Sequence, residues 1–170
     1  MKVIFLDIDG VLNSINYMHK LIDKNVHEYE NNIYQFIDEE SVDIIKHICQ
    51  QYNIKLVITS SWRHFDLDST IDYFNQEENK KLHPLIPYII GVTPRLWIEN
   101  NYGGSKFLDR GYEIKKYLNE HKDITQFVII DDDTDMLPEQ FEYCVFIDNE
   151  FGLNKNHIPK ILNKLKITKN

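Results

Sequence analysis

The stretch Lys2–Asn13, KVIFLDIDGVLN, decides the fold. Val3, Ile4, Phe5 and Leu6 run without alternation, the pattern of a strand covered on both faces of a sheet. Asp7 and Asp9 follow, and Gly10 lets the chain turn sharply beyond them. Residues two apart at a strand end point to one side, so both carboxylates are expected to face the same way. A buried carboxylate is costly, and a second beside it adds repulsion. A polar turn rarely needs two aligned acids, whereas a hard divalent cation answers both costs at once. A calcium EF-hand loop is excluded: it needs Gly at its sixth position and flanking helices. Here Gly10 is the fourth residue counted from Asp7, and a strand precedes it.

Two more apolar runs end in chemistry. Ile54–Ser60, IKLVITS, predicts a strand closing on Thr59, Ser60, Ser61, Trp62 and Arg63. Hydroxyls at such an end suit a phosphate oxygen, although a strand end turning into a helix cap uses the same residues. Phe127–Ile130 runs straight into Asp131, Asp132, Asp133, Thr134 and Asp135, a row of acids that repel one another without a cation.

Helical patterns alternate with these strands. Asp38 is the expected N-cap of a helix that places Val42, Ile45, Ile48, Cys49 and Tyr52 at helical spacing. Leu67–Asn75 predicts a second helix. A third begins at Arg110 and Gly111, with Ile114, Tyr117 and Leu118 inward, and a last one covers His157–Leu165 with Pro159 in its first turn. Leu85–Val92 and Tyr143–Ile147 predict short strands, and Asn100–Ser105, NNYGGS, a flexible loop without the glycine–lysine spacing of a nucleotide P-loop. Ser14–Phe36 is weakly patterned and reads either as a small flap beside the site or as a surface excursion. Strand–helix alternation implies an α/β, doubly wound parallel sheet with its site at the carboxyl ends of the strands.

The 170 residues suit one domain, with no linker or repeat to divide them. A net charge of −8 argues against binding long nucleic acid by charge alone. Charge is uneven, since Phe151–Asn170 carries Lys155, Lys160, Lys164, Lys166 and Lys169 and no acid; a solvated helix face is its simplest reading. Cys49 and Cys144 lack metal-finger or CxxC spacing and read as buried thiols of a reducing compartment. No apolar run approaches the roughly 20 residues that cross a membrane. The N-terminus lacks the pattern of a signal peptide, so a cytoplasmic protein without membrane partners is expected.

The motifs together resemble the haloacid dehalogenase (HAD) superfamily, whose first motif is a strand ending in Asp-x-Asp-Gly. The resemblance implies a Rossmann-like sheet, and a phosphatase in which Asp7 is the nucleophile that forms an aspartyl-phosphate and Asp9 the general acid/base. It implies Mg²⁺ held by the Asp7 carboxylate, the Asp9 main-chain carbonyl, and Asp131 and Asp132, directly or through water. Asp135 completes the DxxxD form of the fourth motif, and Asp133 is expected in solvent. Thr59, or Ser60 beside it, matches the second motif. Arg110 matches the third by position, with Lys106 and Lys115 as competitors. LDIDGVLN, VITSSWR, GVTPR, RGYEIKKYL, IIDDDTDM and the later GLN resemble one branch, the HAD domains of composite "Swiss army knife" RNA-repair proteins. That branch implies a phosphate monoester substrate at a nucleotide or oligonucleotide end.

Insertions at Ser14–Phe36 and His64–Lys106 are too short for a full cap domain, so the site is expected to stay open. Trp62, Arg63 and Arg95 follow strand ends on its rim. An aromatic plane with two guanidinium groups can stack on a base and grip a phosphate; equally, Trp62 can be packed and Arg63 can cap a helix. Two other functions compete with a free-standing phosphatase. One is a non-catalytic metal-binding module, whose mark would be loss of Asp7 or Asp9. The other is a phosphatase component of a larger repair assembly, recruited through the lysine-rich C-terminus.

Overall fold

A computed structural model describes residues 1–23, 36–99 and 105–167. Most of the Ser14–Phe36 excursion, most of the NNYGGS loop, and Lys169 lie outside the described residues. The first strand, β1 (Lys2–Leu6), leads through α1 (Ile15–Asp23) and α2 (Glu39–Tyr52) to β2 (Lys55–Ile58). Then come α3 (Leu67–Phe74), β3 (Ile89–Val92), the pair β4 (Trp97–Glu99) and β5 (Ser105–Phe107), and α4 (Arg110–Glu120). The described chain ends through β6 (Gln126–Asp131), β7 (Cys144–Phe146) and α5 (Ile158–Lys164). Five strands form one parallel sheet in the order β3-β2-β1-β6-β7, with β1 at its centre. The sheet is α/β and doubly wound.

The unalternating run of β1 has a direct cause. Val3, Ile4, Phe5 and Leu6 are all 0% exposed, because successive side chains enter different cores. Ile4 and Leu6 belong to the larger core, with Val42, Ile45 and Ile48 of α2 and Ile161 of α5. Val3 and Phe5 belong to the smaller one, with Ile114 and Tyr117 of α4. Phe5 meets Tyr117 edge to face with ring centres 5.8 Å apart. The α2 helix starts where Asp38 accepts a hydrogen bond from the Glu40 amide (3.0 Å) and stops at Asn53, whose left-handed backbone (φ 51°) ends the turn. Pro159 stands in the first turn of α5. Cys49 and Cys144 are buried free thiols, and burial pushes Cys49 up to about 12. Among the described residues no helix is long and apolar enough to cross a membrane.

Three local expectations change. The strand expected from Leu85 begins at Ile89, because Pro84 and Pro87 lack the N–H groups a ladder needs, and Glu77–Tyr88 coils into 3₁₀ turns instead. The β4–β5 pair is an antiparallel ribbon where only a loop was expected, with Trp97 paired to Phe107 and Ile98 to Lys106. Ile15–Asp23, within the weakly patterned excursion, is helical with none of its residues buried.

Candidate active site

The ladder of the sheet runs one residue past β1 and β2. The Asp7 amide donates to the Ile130 carbonyl (3.0 Å), the Thr59 amide to the Leu6 carbonyl (3.0 Å), and the Ile147 amide to the Asp131 carbonyl (2.8 Å). Asp7, Thr59 and Asp131 thus form one row across the carboxyl edge of the central strands, and all three are buried. Gly10 makes the crossing possible. Its φ is +69°, and a Cβ there would collide with the Asp132 carboxylate, so glycine lets the loop after β6 close against the loop after β1.

Arg110, the first residue of α4, reaches this row. Its Nη1 lies 2.8 Å from Asp7 Oδ1 and 2.9 Å from Asp131 Oδ2. Asp135 holds it there: the Arg110 amide donates to Asp135 Oδ2 (3.1 Å) and the Gly111 amide to the Asp135 carbonyl (3.1 Å). The DxxxD spacing therefore caps the start of the helix that delivers the guanidinium. Lys115 is instead paired with Glu139 at 3.0 Å on the surface, and Lys106 is exposed on β5. Asp133 is exposed.

Carboxylate oxygens of Asp7, Asp131 and Asp132 lie within 4.8 Å of one another. Burial raises the Asp7 carboxyl against the pull of Arg110. Burial first, and the Asp7 charge second, push Asp131 up to about 7 and also raise Asp132. Burial opposes the charge on Arg110, but Asp7 and Asp131 outweigh it and raise the guanidinium. Three carboxylates against one guanidinium leave an excess of two negative charges among hard oxygen donors, a set that fits a divalent ion such as Mg²⁺. Asp7 Oδ1 is the ion-pair partner of Arg110 at 2.8 Å, and a carboxylate oxygen so paired keeps a second lone pair for another cation.

The Asp9 side chain differs from its expected place. Strand alternation stops at Leu6, and the following turn swings Asp9 away from the acidic cluster. Its Oδ2 accepts from Trp62 Nε1 (2.9 Å) and Ser61 Oγ (3.4 Å), and its Oδ1 from Asn13 Nδ2 (2.9 Å). Its carboxylate lines a cleft of about 640 Å³ with Asn13, Trp62, Asp132 and Asn149. Among the described residues Thr59 Oγ1 is buried without a hydrogen-bond partner, an open donor in the row of Asp7. The Ser60 hydroxyl accepts from the Trp62 amide (3.2 Å) and favours the ionised form of Asp7.

Arg63 is not on the rim. It is 5% exposed, and its guanidinium is spent on the carbonyls of Thr93 (2.8 Å), Thr59 (2.6 Å) and Ser60 (2.7 Å) and on Glu113 Oε2 (2.6 Å). Trp62 is 8% exposed and holds Asp9, so its indole is a wall of the cleft and not a free stacking plane. Arg95 is exposed, with Nη2 bound to the carbonyls of Ser61 (2.7 Å) and Arg63 (2.9 Å). Asn13 and Glu113 were not among the residues expected at the site, and Ser61, expected with the strand-end hydroxyls, turns to Asp9. Asn13 had a signal, since it ends the deciding stretch and its Oδ1 also accepts from the Gly10 amide (2.8 Å).

A model of the HAD domain in Swiss Army Knife RNA repair proteins matches residues 3–158. Among curated proteins none matches the chain. That match spans the central sheet and every strand end that bears an acid or a hydroxyl, and by it the chain belongs to the family of HAD domains in Swiss Army Knife RNA repair proteins.

Proposed function

We propose that this chain is a Mg²⁺-dependent phosphohydrolase that removes terminal phosphates from nucleotides or nucleic-acid ends through an aspartyl-phosphate on Asp7. The observation that carries the reading is Asp7 itself: a buried carboxylate in the row of Thr59 and Asp131, 2.8 Å from the Arg110 guanidinium and clustered with Asp131 and Asp132. Family membership supports a phosphohydrolase, and the name of the family motivates the choice of substrate.

In the first step an Asp7 oxygen attacks phosphorus, the bond to the leaving oxygen breaks, and Asp9 gives that oxygen its proton. Arg110 and the open hydroxyl of Thr59 hold the equatorial phosphate oxygens as charge gathers on them. Trp62, Ser61 and Asn13 fix the Asp9 carboxylate at the mouth of the cleft, where a leaving oxygen or a water arrives. In the second step Asp9 takes a proton from water. The water oxygen then displaces Asp7 from phosphorus, which restores the carboxylate and frees inorganic phosphate. Mg²⁺ held by Asp7, Asp131, Asp132 and the Asp9 carbonyl would supply charge neutralisation for substrate and carboxylates alike.

The test is hydrolysis of an aryl phosphate with Mg²⁺, with chelator, and in Asp7→Asn. Activity lost with chelator and in Asp7→Asn, with an unchanged circular dichroism spectrum, is the expected result. Full turnover by Asp7→Asn would refute the covalent route.

A further inference from the structure

Beside the candidate catalytic pocket lies a groove of about 860 Å³ that the mechanism does not use. Its walls include Tyr73, Phe65, Trp97 and Phe107, with Arg95 and His64 among them. Large apolar side chains normally hide, yet Phe65 is 97% exposed and Trp97 and Phe107 are each 62% exposed. Trp97 and Phe107 are a cross-strand pair of the β4–β5 ribbon, so their side chains share one face, and Ile98 and Lys106 take the other.

Charge sets this groove apart. The chain carries 27 acids, yet none of the groove's lining residues is one. Among the described residues no carboxylate oxygen lies within 4.0 Å of the Arg95 guanidinium, although its charge reaches buried Glu113. Carbonyls hold its Nη2 in place, and its Nε and Nη1 make no hydrogen bond there. The groove is also continuous with the site. A smaller cavity lined by Thr59, Arg110 and Asp135 shares Ser61, Arg63, Arg95 and Phe107 with it.

We propose that this groove is a base-stacking subsite for the last nucleotides of a single strand. Trp97 and Phe107 form its platform, and Arg95 meets the phosphate next to the terminal one. The placement of the end rests on the phosphohydrolase reading above; the stacking itself does not. Aromatic faces accept any base, so recognition is of a single-stranded end with little sequence preference. The single exposed guanidinium and the net charge of −8 limit the footprint to a few nucleotides.

The experiment compares a five-nucleotide oligouridylate bearing a 3′-phosphate with an abasic oligomer of equal length and charge. Binding is read by tryptophan fluorescence in the presence of chelator. The chain has two tryptophans and both line the groove, Trp97 exposed and Trp62 8% exposed, so quenching reports on a ligand seated there. The base-bearing oligomer is expected to bind roughly 5- to 150-fold more tightly, the range for one or more stacked bases. Trp97→Ala and Phe107→Ala should shrink that preference, followed for Trp97→Ala by fluorescence anisotropy of a labelled oligomer. Trp97→Phe, which keeps an aromatic plane, should retain most of it and shows that the loss in Trp97→Ala is not a failure to fold. With Mg²⁺, the ratio of kcat/KM for the oligomer to that for an aryl phosphate should fall by a similar factor in Trp97→Ala. Equal affinity for base-bearing and abasic oligomers, or an undiminished preference in Trp97→Ala, overturns the subsite and leaves the phosphatase standing. Base-dependent binding without hydrolysis of any phosphate ester upholds the subsite and overturns the phosphatase.

Discussion

Glu113→Gln should unfold this protein far more readily than its distance from Asp7 suggests. Glu113 and Arg63 are 8% and 4% exposed at their side chains and meet at 2.6 Å. Burial raises the Glu113 carboxyl against the pull of Arg63, and lowers the Arg63 guanidinium against the pull of Glu113. Desolvation therefore outweighs the attraction, and the pair is expected to add little by itself. Removing one partner is different, because a buried charge is left uncompensated at a cost of about 3–5 kcal/mol. At about 2–4 °C per kcal/mol for a domain of this size, the melting temperature should fall by roughly 6–20 °C. Arg63 also donates to the carbonyls of Thr59, Ser60 and Thr93. Arg63→Met with Glu113→Leu removes both charges yet still orphans the Thr59 and Thr93 carbonyls, at about 1–3 kcal/mol each, while the Ser60 carbonyl keeps the backbone amide of position 63 (3.1 Å). The double variant should thus remain at least about 2 kcal/mol less stable than the parent. Urea and thermal unfolding of the two variants measure this. Variants within about 1 kcal/mol of the parent that nonetheless lose oligonucleotide hydrolysis would make Arg63 a substrate contact and refute the argument from burial.

Arg110→Ala should cost about 2–4 kcal/mol in kcat/KM, the loss of one preorganised donor, whereas a loss of that size in Lys106→Ala or Lys115→Ala instead would move the phosphate-facing cation elsewhere. Asp9→Asn keeps a side-chain oxygen for Trp62 but removes the base that activates water, so phospho-enzyme should accumulate and be seen by mass spectrometry; parental turnover would refute that role. Metal and protons should compete at Asp131. Its carboxyl stands at about 7 in the folded protein without a cation, against roughly 3.9 when unfolded. The folded state therefore holds the extra proton between those values, and the metal-free protein loses stability as pH rises through that window. Mg²⁺ at 100 times its Kd should restore about 2.7 kcal/mol, or roughly 5–11 °C, at pH 8 and much less at pH 5; equal shifts at both would count against the acidic cluster as the metal site.

What was legible in the sequence was what local order encodes. An unalternating run such as Val3–Leu6 can satisfy its burial only in the middle of a covered sheet, and Phe127–Ile130 says the same of β6. The ends of those runs carry the acids, so the row of Asp7 and Asp131 followed from two strand ends and a parallel topology. The β4–β5 ribbon was not legible. Each strand has three residues, too few for a period to show, and their pairing depends on contacts across a turn. The turns at Glu77–Tyr88 hid behind an apolar run whose prolines forbid a ladder, a case in which hydropathy and hydrogen bonding disagree and the missing N–H decides.

Within the site, the misplaced residues were those whose partners lie far along the chain. Trp62 and Arg63 follow Ser61 as a rim would, and nothing local says that one turns to Asp9 and the other to Glu113. The deciding quantity was a count of carbonyls. Where β2 and β3 end side by side, Thr59, Ser60 and Thr93 present acceptors that no further strand can satisfy, inside a region water does not reach. A guanidinium has five donors in a fixed fork and no acceptor, and it is the side chain that can serve three carbonyls and a carboxylate at once. An arginine three to five residues past the end of a buried strand is therefore as well suited to closing the sheet edge as to gripping a ligand. Arg95, with two carbonyls on one nitrogen and its other nitrogens unbonded among the described residues, is the guanidinium here that the sheet does not use up.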